Sequence, residues 1–97
     1  MDEKKLKANR YLDSMGIKHA NTGFRYLMTA LEIGADNPQL LYRIGDLYEK
    51  IAQIHGTKKT NVEKSIRYCV SPSGLTNKEF ISRAVDSLYC QEDRNKR

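Results

Sequence analysis

The chain has 97 residues, 39% hydrophobic and 30% charged, enough for one modest hydrophobic core and too few for two. With 17 Lys and Arg against 12 Asp and Glu, its net charge of +5 favours a polyanionic partner. No apolar run approaches the roughly 20 residues that span a bilayer, and the charged start MDEKKLKANR leads into no apolar core, which excludes a signal peptide.

In chain order, a first helix is expected from about Lys4 to Met15, with Leu6, Tyr11, Leu12 and Met15 on its apolar face and Gly16 ending it. A second helix starts near Thr22. Phe24, Leu27, Met28 and Leu31 fall at i, i+3, i+4 and i+7, one stripe for a core, and Gly34 is expected to close it. Asn37 then offers a cap and Pro38 suits a first helical position. Leu40, Leu41 and Ile44 make one or two turns, and Gly45-Asp46 either breaks this helix or kinks it.

The stretch from Leu47 to Val70 reads as a helix-turn-helix. Asp46 with Glu49 forms a D-x-x-E start signal, and Leu47, Ile51 and Ile54 keep a helical period. Gly56 stops that helix by taking positive φ at low cost. A second helix of about 58–70 turns Val62, Ile66 and Cys69 or Val70 inward, with Thr57 or Thr60 as its N-cap. Ala52 allows a close crossing, Gly56 the sharp turn, and Val62 the lock between the two helices. Ser71-Pro72-Ser73-Gly74 breaks the chain again. The last helix opens on a capping box, Thr76 with Glu79, and a hydrophobic staple, Leu75 with Phe80. Phe80, Ile81, Ala84, Val85 and Leu88 form its buried face. The fold class is therefore all-α, a compact bundle of about five to six helices in a single domain over residues 1–97, with loose ends at about 1–5 and 91–97.

Inward pointing of Val62 and Ile66 leaves Lys58, Thr60, Asn61, Lys64, Arg67 and Tyr68 outside. Long cations, a hydroxyl and an amide are the groups that reach phosphates and base edges in a DNA major groove. Leu47–Val70 holds five Lys or Arg (Lys50, Lys58, Lys59, Lys64, Arg67) and two Glu, so most of the net +5 sits on this pair of helices. A solvated helix face has the same composition, and the location of the charge favours DNA over it. Cys69 and Cys90 lack C-x-x-C spacing and fall on apolar faces, so they read as reduced, buried thiols of a cytoplasmic protein. His19 and His55 have no Cys, His or Asp at ligand spacing, and packing or capping explains them better than a metal. No phosphate loop, G-x-S-x-G or carboxylate–histidine arrangement is present, so neither a cofactor nor an enzyme is expected. Of the six tyrosines only Tyr68 lies on the outer face, too few for a single-strand stacking platform.

Three segments together, Met15–Glu32, Leu47–Val70 and Leu75–Leu88, resemble the C-terminal DNA-binding (effector) domain of the stage-zero sporulation protein A response regulator family. The resemblance spans roughly Arg10 to Leu88. Its most specific pieces are Gly16, Gly23 and Tyr26-Leu27, the Ile51-Ala52 to Val62-Glu63 to Ile66-Arg67 spacing, and Thr76-Asn77 before Glu79-Phe80-Ile81. It implies a cytoplasmic transcription regulator that inserts one helix into the major groove of double-stranded DNA, with neighbouring copies on tandem boxes. Carried over by position, the base-contacting face falls on Asn61, Glu63, Lys64, Arg67 and Tyr68. Lys50, Lys58, Lys59 and Thr60 are expected at phosphates. Glu63 and Arg67 keep the family's residue types. Asn61 and Lys64 stand where Arg is usual and Tyr68 where His is frequent, so the preferred box is expected to differ.

Two departures shape the functional expectation. The family's receiver domain with its phosphorylated Asp has no counterpart in Met1–Asn9, which reads as an excised effector domain or a stand-alone relative. Ser71–Gly74 also replaces a longer segment that in the family contacts the RNA polymerase sigma factor. That argues for a repressor, or a competitor for boxes, over an activator. The competing expectation is a protein-interaction helix-turn-helix that binds and antagonises another regulator.

Overall fold

The computed structural model describes residues 3–90, with five α-helices and no strand among them. They are α1 (Glu3–Ser14), α2 (Thr22–Asp36), α3 (Ile44–His55), α4 (Lys59–Val70) and α5 (Asn77–Val85). Short 3₁₀ turns at Pro38–Leu41 and Ser71–Ser73 and a π turn at Asp86–Cys90 complete the elements of the described residues. The expected loose ends fall mostly outside the described residues, as does the side chain of Cys90; Glu3 to Lys5 are helical.

The hub is α2, which packs against each of the other four helices. Leu27, Ala30 and Leu31 of α2 are fully buried, together with Leu12, Leu47, Ile51, Val62, Ile66, Ile81 and Ala84 from the surrounding helices. At the end of α1, Ile17 N–H donates to the Leu12 carbonyl and Gly16 N–H to that of Asp13, with Gly16 at φ +82°. This is a Schellman cap, and burial of both Leu12 and Ile17 supplies its hydrophobic contact.

Gly34 does not close α2. It is buried within the helix, where a Cβ would stand 3.1 Å from both Leu41 and Val85. Its smallness lets the 3₁₀ turn and α5 pack close, and that tertiary need offsets the weak helix propensity of glycine.

The start of α3 is also earlier than the Asp46–Glu49 signal suggests. Arg43 is the N-cap, its carbonyl accepting from Asp46 and Leu47 N–H, so Gly45 and Asp46 lie in the first helical turn. Ile54, expected inward, is 62% exposed, while Tyr48 is buried instead. The inward stripe of α3 is Leu47, Tyr48, Ile51 and Ala52, and the helix ends before the stripe returns. Gly56 takes φ +65° and Thr57 N–H reaches back to the Ala52 carbonyl at 2.9 Å, which makes the sharp turn into α4.

Neither Thr57 nor Thr60 caps α4; Lys58 occupies that position without a side-chain cap. The Thr57 hydroxyl instead accepts from Asn61 Nδ2 at 3.1 Å. The capping box of α5 is present in full: Glu79 N–H donates to Thr76 Oγ1 at 3.1 Å and Thr76 N–H to Glu79 Oε1 at 3.0 Å. Leu75 is partly buried against the core, of which Phe80 is a member.

Candidate nucleic-acid interface

The inner side of α4 is fixed by three apolar anchors and one close backbone approach. Val62, Ile66 and Val70 are buried. Gly23 of α2 lies directly against α4, where a Cβ would overlap the Ser65 carbonyl oxygen and stand 2.5 Å from Cys69 Sγ. Helix spacing then turns Thr60, Asn61, Lys64, Arg67 and Tyr68 outward, and all five are exposed. Tyr68 is 74% exposed, a large aromatic surface with no place in the core.

Lys58 and Lys59 are exposed at the helix start, where the unpaired N–H groups and the positive end of the helix dipole add to their charge. Among the described residues, Lys58, Lys59 and Lys64 enter no salt bridge. Glu63 is half-buried, and its Oε1 lies 3.2 Å from Arg67 Nη2 one turn along. The structure therefore brings eight of the nine expected residues together on α4 and its N-terminus. Lys50 is apart from them. It lines a groove between α3 and the end of α2, with Glu32, Asp36, Gln53 and Ile54.

Grooves flank α4 on both sides. One is lined by Gly16, Ile17 and Asn21 with Lys64, Arg67 and Tyr68. The other runs between Glu63 and Arg67 and the start of α5 at Thr76, Asn77 and Lys78. Cys69 is half-buried at the edge of the first; burial pushes its thiol pKa up, opposed by a hydrogen bond from Asn21. On the second side Asn77 Nδ2 donates to Tyr48 Oη at 3.0 Å and to the Glu63 carbonyl at 3.3 Å. Burial raises the Tyr48 pKa; the Asn77 bond and Arg67 oppose this and the Glu63 charge adds to it. Tyr42, 80% exposed, has Lys78 Nζ 5.7 Å from its ring centroid.

Tyr42, Tyr48 and Asn77 are not among the residues expected from the sequence. The available signal is Asn77 itself. It follows a complete cap, where an asparagine has no local task in the helix. The histidines take structural positions: His19 stacks on Phe24 with ring centroids 4.3 Å apart, and His55 Nε2 lies 2.7 Å from Thr29 Oγ1 with its ring edge-on to Tyr26. No group of three or more metal-ligating side chains occurs among the described residues. Nor is any helix among them long and apolar enough to cross a membrane.

Residues 8–88 match the family described as the sporulation initiation factor Spo0A C terminal. The chain belongs to this family. The Spo0A C-terminal family is one of DNA-binding domains of a sporulation regulator, not of enzymes. Its all-α fold with a helix-turn-helix is the one seen here. No curated protein matches the chain in a direct comparison.

Proposed function

We propose that the protein is a sequence-specific transcription regulator that docks α4 in the major groove of double-stranded DNA. Asn61, Lys64, Arg67 and Tyr68 face base edges, and Lys58, Lys59 and Thr60 hold phosphates at the helix start. Lys50, in a different groove, is left out of the contact set. Glu63 has two tasks. It keeps the Arg67 guanidinium extended across one turn of the free helix, and it can accept from a cytosine amino group once Arg67 has moved to a guanine.

The observation that carries this reading is the contrast between the two sides of α4. Its inner side is locked by buried apolar residues and the Gly23 contact, so the outer cationic face is presented in one orientation.

Random-site selection with the protein, followed by fluorescence anisotropy on the selected duplex and a scrambled duplex at two salt concentrations, tests it. A preference of about a thousandfold, within the range usual for specific regulators, is expected. Equal and salt-labile binding to both duplexes would count against it and favour a helix-turn-helix that engages another protein.

A further inference from the structure

Asn77 joins α3, α4 and α5 at a single point. It is half-buried at the first position of α5, yet the capping box of that helix start is made by Thr76 and Glu79 without it. Its amide reaches the other way, to Tyr48 Oη at 3.0 Å and the Glu63 carbonyl at 3.3 Å. A backbone carbonyl only accepts, so the amide nitrogen must face it, and the second N–H is then directed to the tyrosine. Within an α-helix the Glu63 carbonyl also accepts the Arg67 N–H four residues on. Asn77 therefore holds the very turn from which Glu63 and Arg67 project, and it anchors that turn to a buried tyrosine of α3.

We propose that Asn77 is a positioning and specificity-determining residue for DNA reading: through Tyr48 and the Glu63 carbonyl it sets the roll of α4, and so the aim of the Glu63–Arg67 pair. This rests on the reading of α4 as the recognition helix. A misdirected bidentate guanine contact loses most of its discrimination, because the fork geometry tolerates little rotation. Phosphate contacts at Lys58 and Lys59 are point-charge contacts and tolerate a small roll. The loss of Asn77 should therefore fall on discrimination between sequences far more than on general affinity.

The test compares Asn77→Ala, Tyr48→Phe and Thr76→Ala with the wild type by anisotropy on the wild-type-selected duplex and its scrambled counterpart, below the melting transition of every variant. Thr76→Ala removes the cap and weakens α5 without touching the Glu63 carbonyl, so it controls for stability alone. Asn77→Ala is expected to lower the discrimination ratio about tenfold while scrambled-duplex affinity changes less than about twofold. Tyr48→Phe, nearly isosteric and safe for folding, is expected to lower the ratio by about threefold, and the double variant to be no worse than Asn77→Ala alone. Thr76→Ala should leave the ratio unchanged. If the wild type discriminates and both Asn77→Ala and Tyr48→Phe keep its ratio, or Thr76→Ala lowers it equally, the positioning role is overturned while the function stands. A wild type without discrimination overturns both.

Discussion

Gly23 and Ser65 are in backbone contact: a Cβ on the glycine would overlap the serine carbonyl oxygen in the middle of α4. The neighbour is main chain within a helix and cannot swing aside as a side chain could. Gly23→Ala should therefore push α2 and α4 apart, at the upper end of the ~1–3 kcal/mol that overpacking costs. For a domain of this size each kcal/mol lowers Tm by about 4–8 °C. Thermal unfolding followed by circular dichroism checks this, and a Tm within a degree of wild type would show that α2 and α4 have room to yield.

The α5 capping box makes a pH-dependent contribution. Hydrogen bonds from the Thr76 backbone and hydroxyl hold the Glu79 carboxyl below its ordinary range. Its contribution is then fully present above the ordinary Glu value of about 4.3 and is lost as pH falls through the lowered folded value. Thr76→Ala should lower stability at neutral pH by about 1 kcal/mol. It should also lessen, but not abolish, the fall in stability on the acid side of about pH 4.3, because residue 76 keeps the backbone N–H that is the larger cause of the lowered value. Urea unfolding of both proteins at neutral pH and near pH 3 measures the two effects, and parallel acid losses would contradict the assignment.

The turn of the helix-turn-helix is tied to α2 by His55 and Thr29, Nε2 to Oγ1 at 2.7 Å. Thr29 Oγ1 also lies 3.2 Å from the Arg25 carbonyl, an acceptor to which it donates. The hydroxyl thus links the imidazole to the backbone of α2. Thr29→Val keeps the shape and removes the hydroxyl, and should cost about 0.5–1.5 kcal/mol in urea unfolding. No change would mean that water replaces the hydroxyl without loss.

Lys59 and Lys50 have opposite expectations although both are exposed lysines of the same helix pair. Lys59→Ala should weaken binding to selected and scrambled duplexes alike and reduce the salt slope by about 1. Lys50→Ala should leave both affinity and slope unchanged, since its groove opens between α3 and the end of α2. Salt titrations of the two variants side by side decide it.

How much of this is legible in the sequence depends on how local each cause is. The Thr76–Glu79 box and the glycines at 16 and 56 follow from hydrogen bonds and φ values within a few residues, and they stand where the sequence places them. Gly34 reads as a stop, wrongly, because its role is set by Leu41 and Val85, which the local pattern does not contain. The start of α3 at Ile44 is set by Arg43, whose carbonyl takes the Asp46 and Leu47 N–H groups just after the Pro38–Leu41 turn, and the Asp46–Glu49 pair mimics a start inside the helix. The outer face of α4 is legible because Val62 and Ile66 fix its complement by periodicity alone. Asn77 and Tyr48 are not, since their partnership joins residues 29 positions apart.

The most direct measurement is the binding of wild type and Arg67→Ala to the selected and scrambled duplexes at one fixed salt concentration. Arg67 is exposed and paired with Glu63 on its own helix, so its loss should not disturb the core. Specific binding should weaken by about 1–3 kcal/mol, with relaxed preference at one base pair and little change on the scrambled duplex. Unchanged affinity and unchanged preference would contradict the docking of α4 in the major groove.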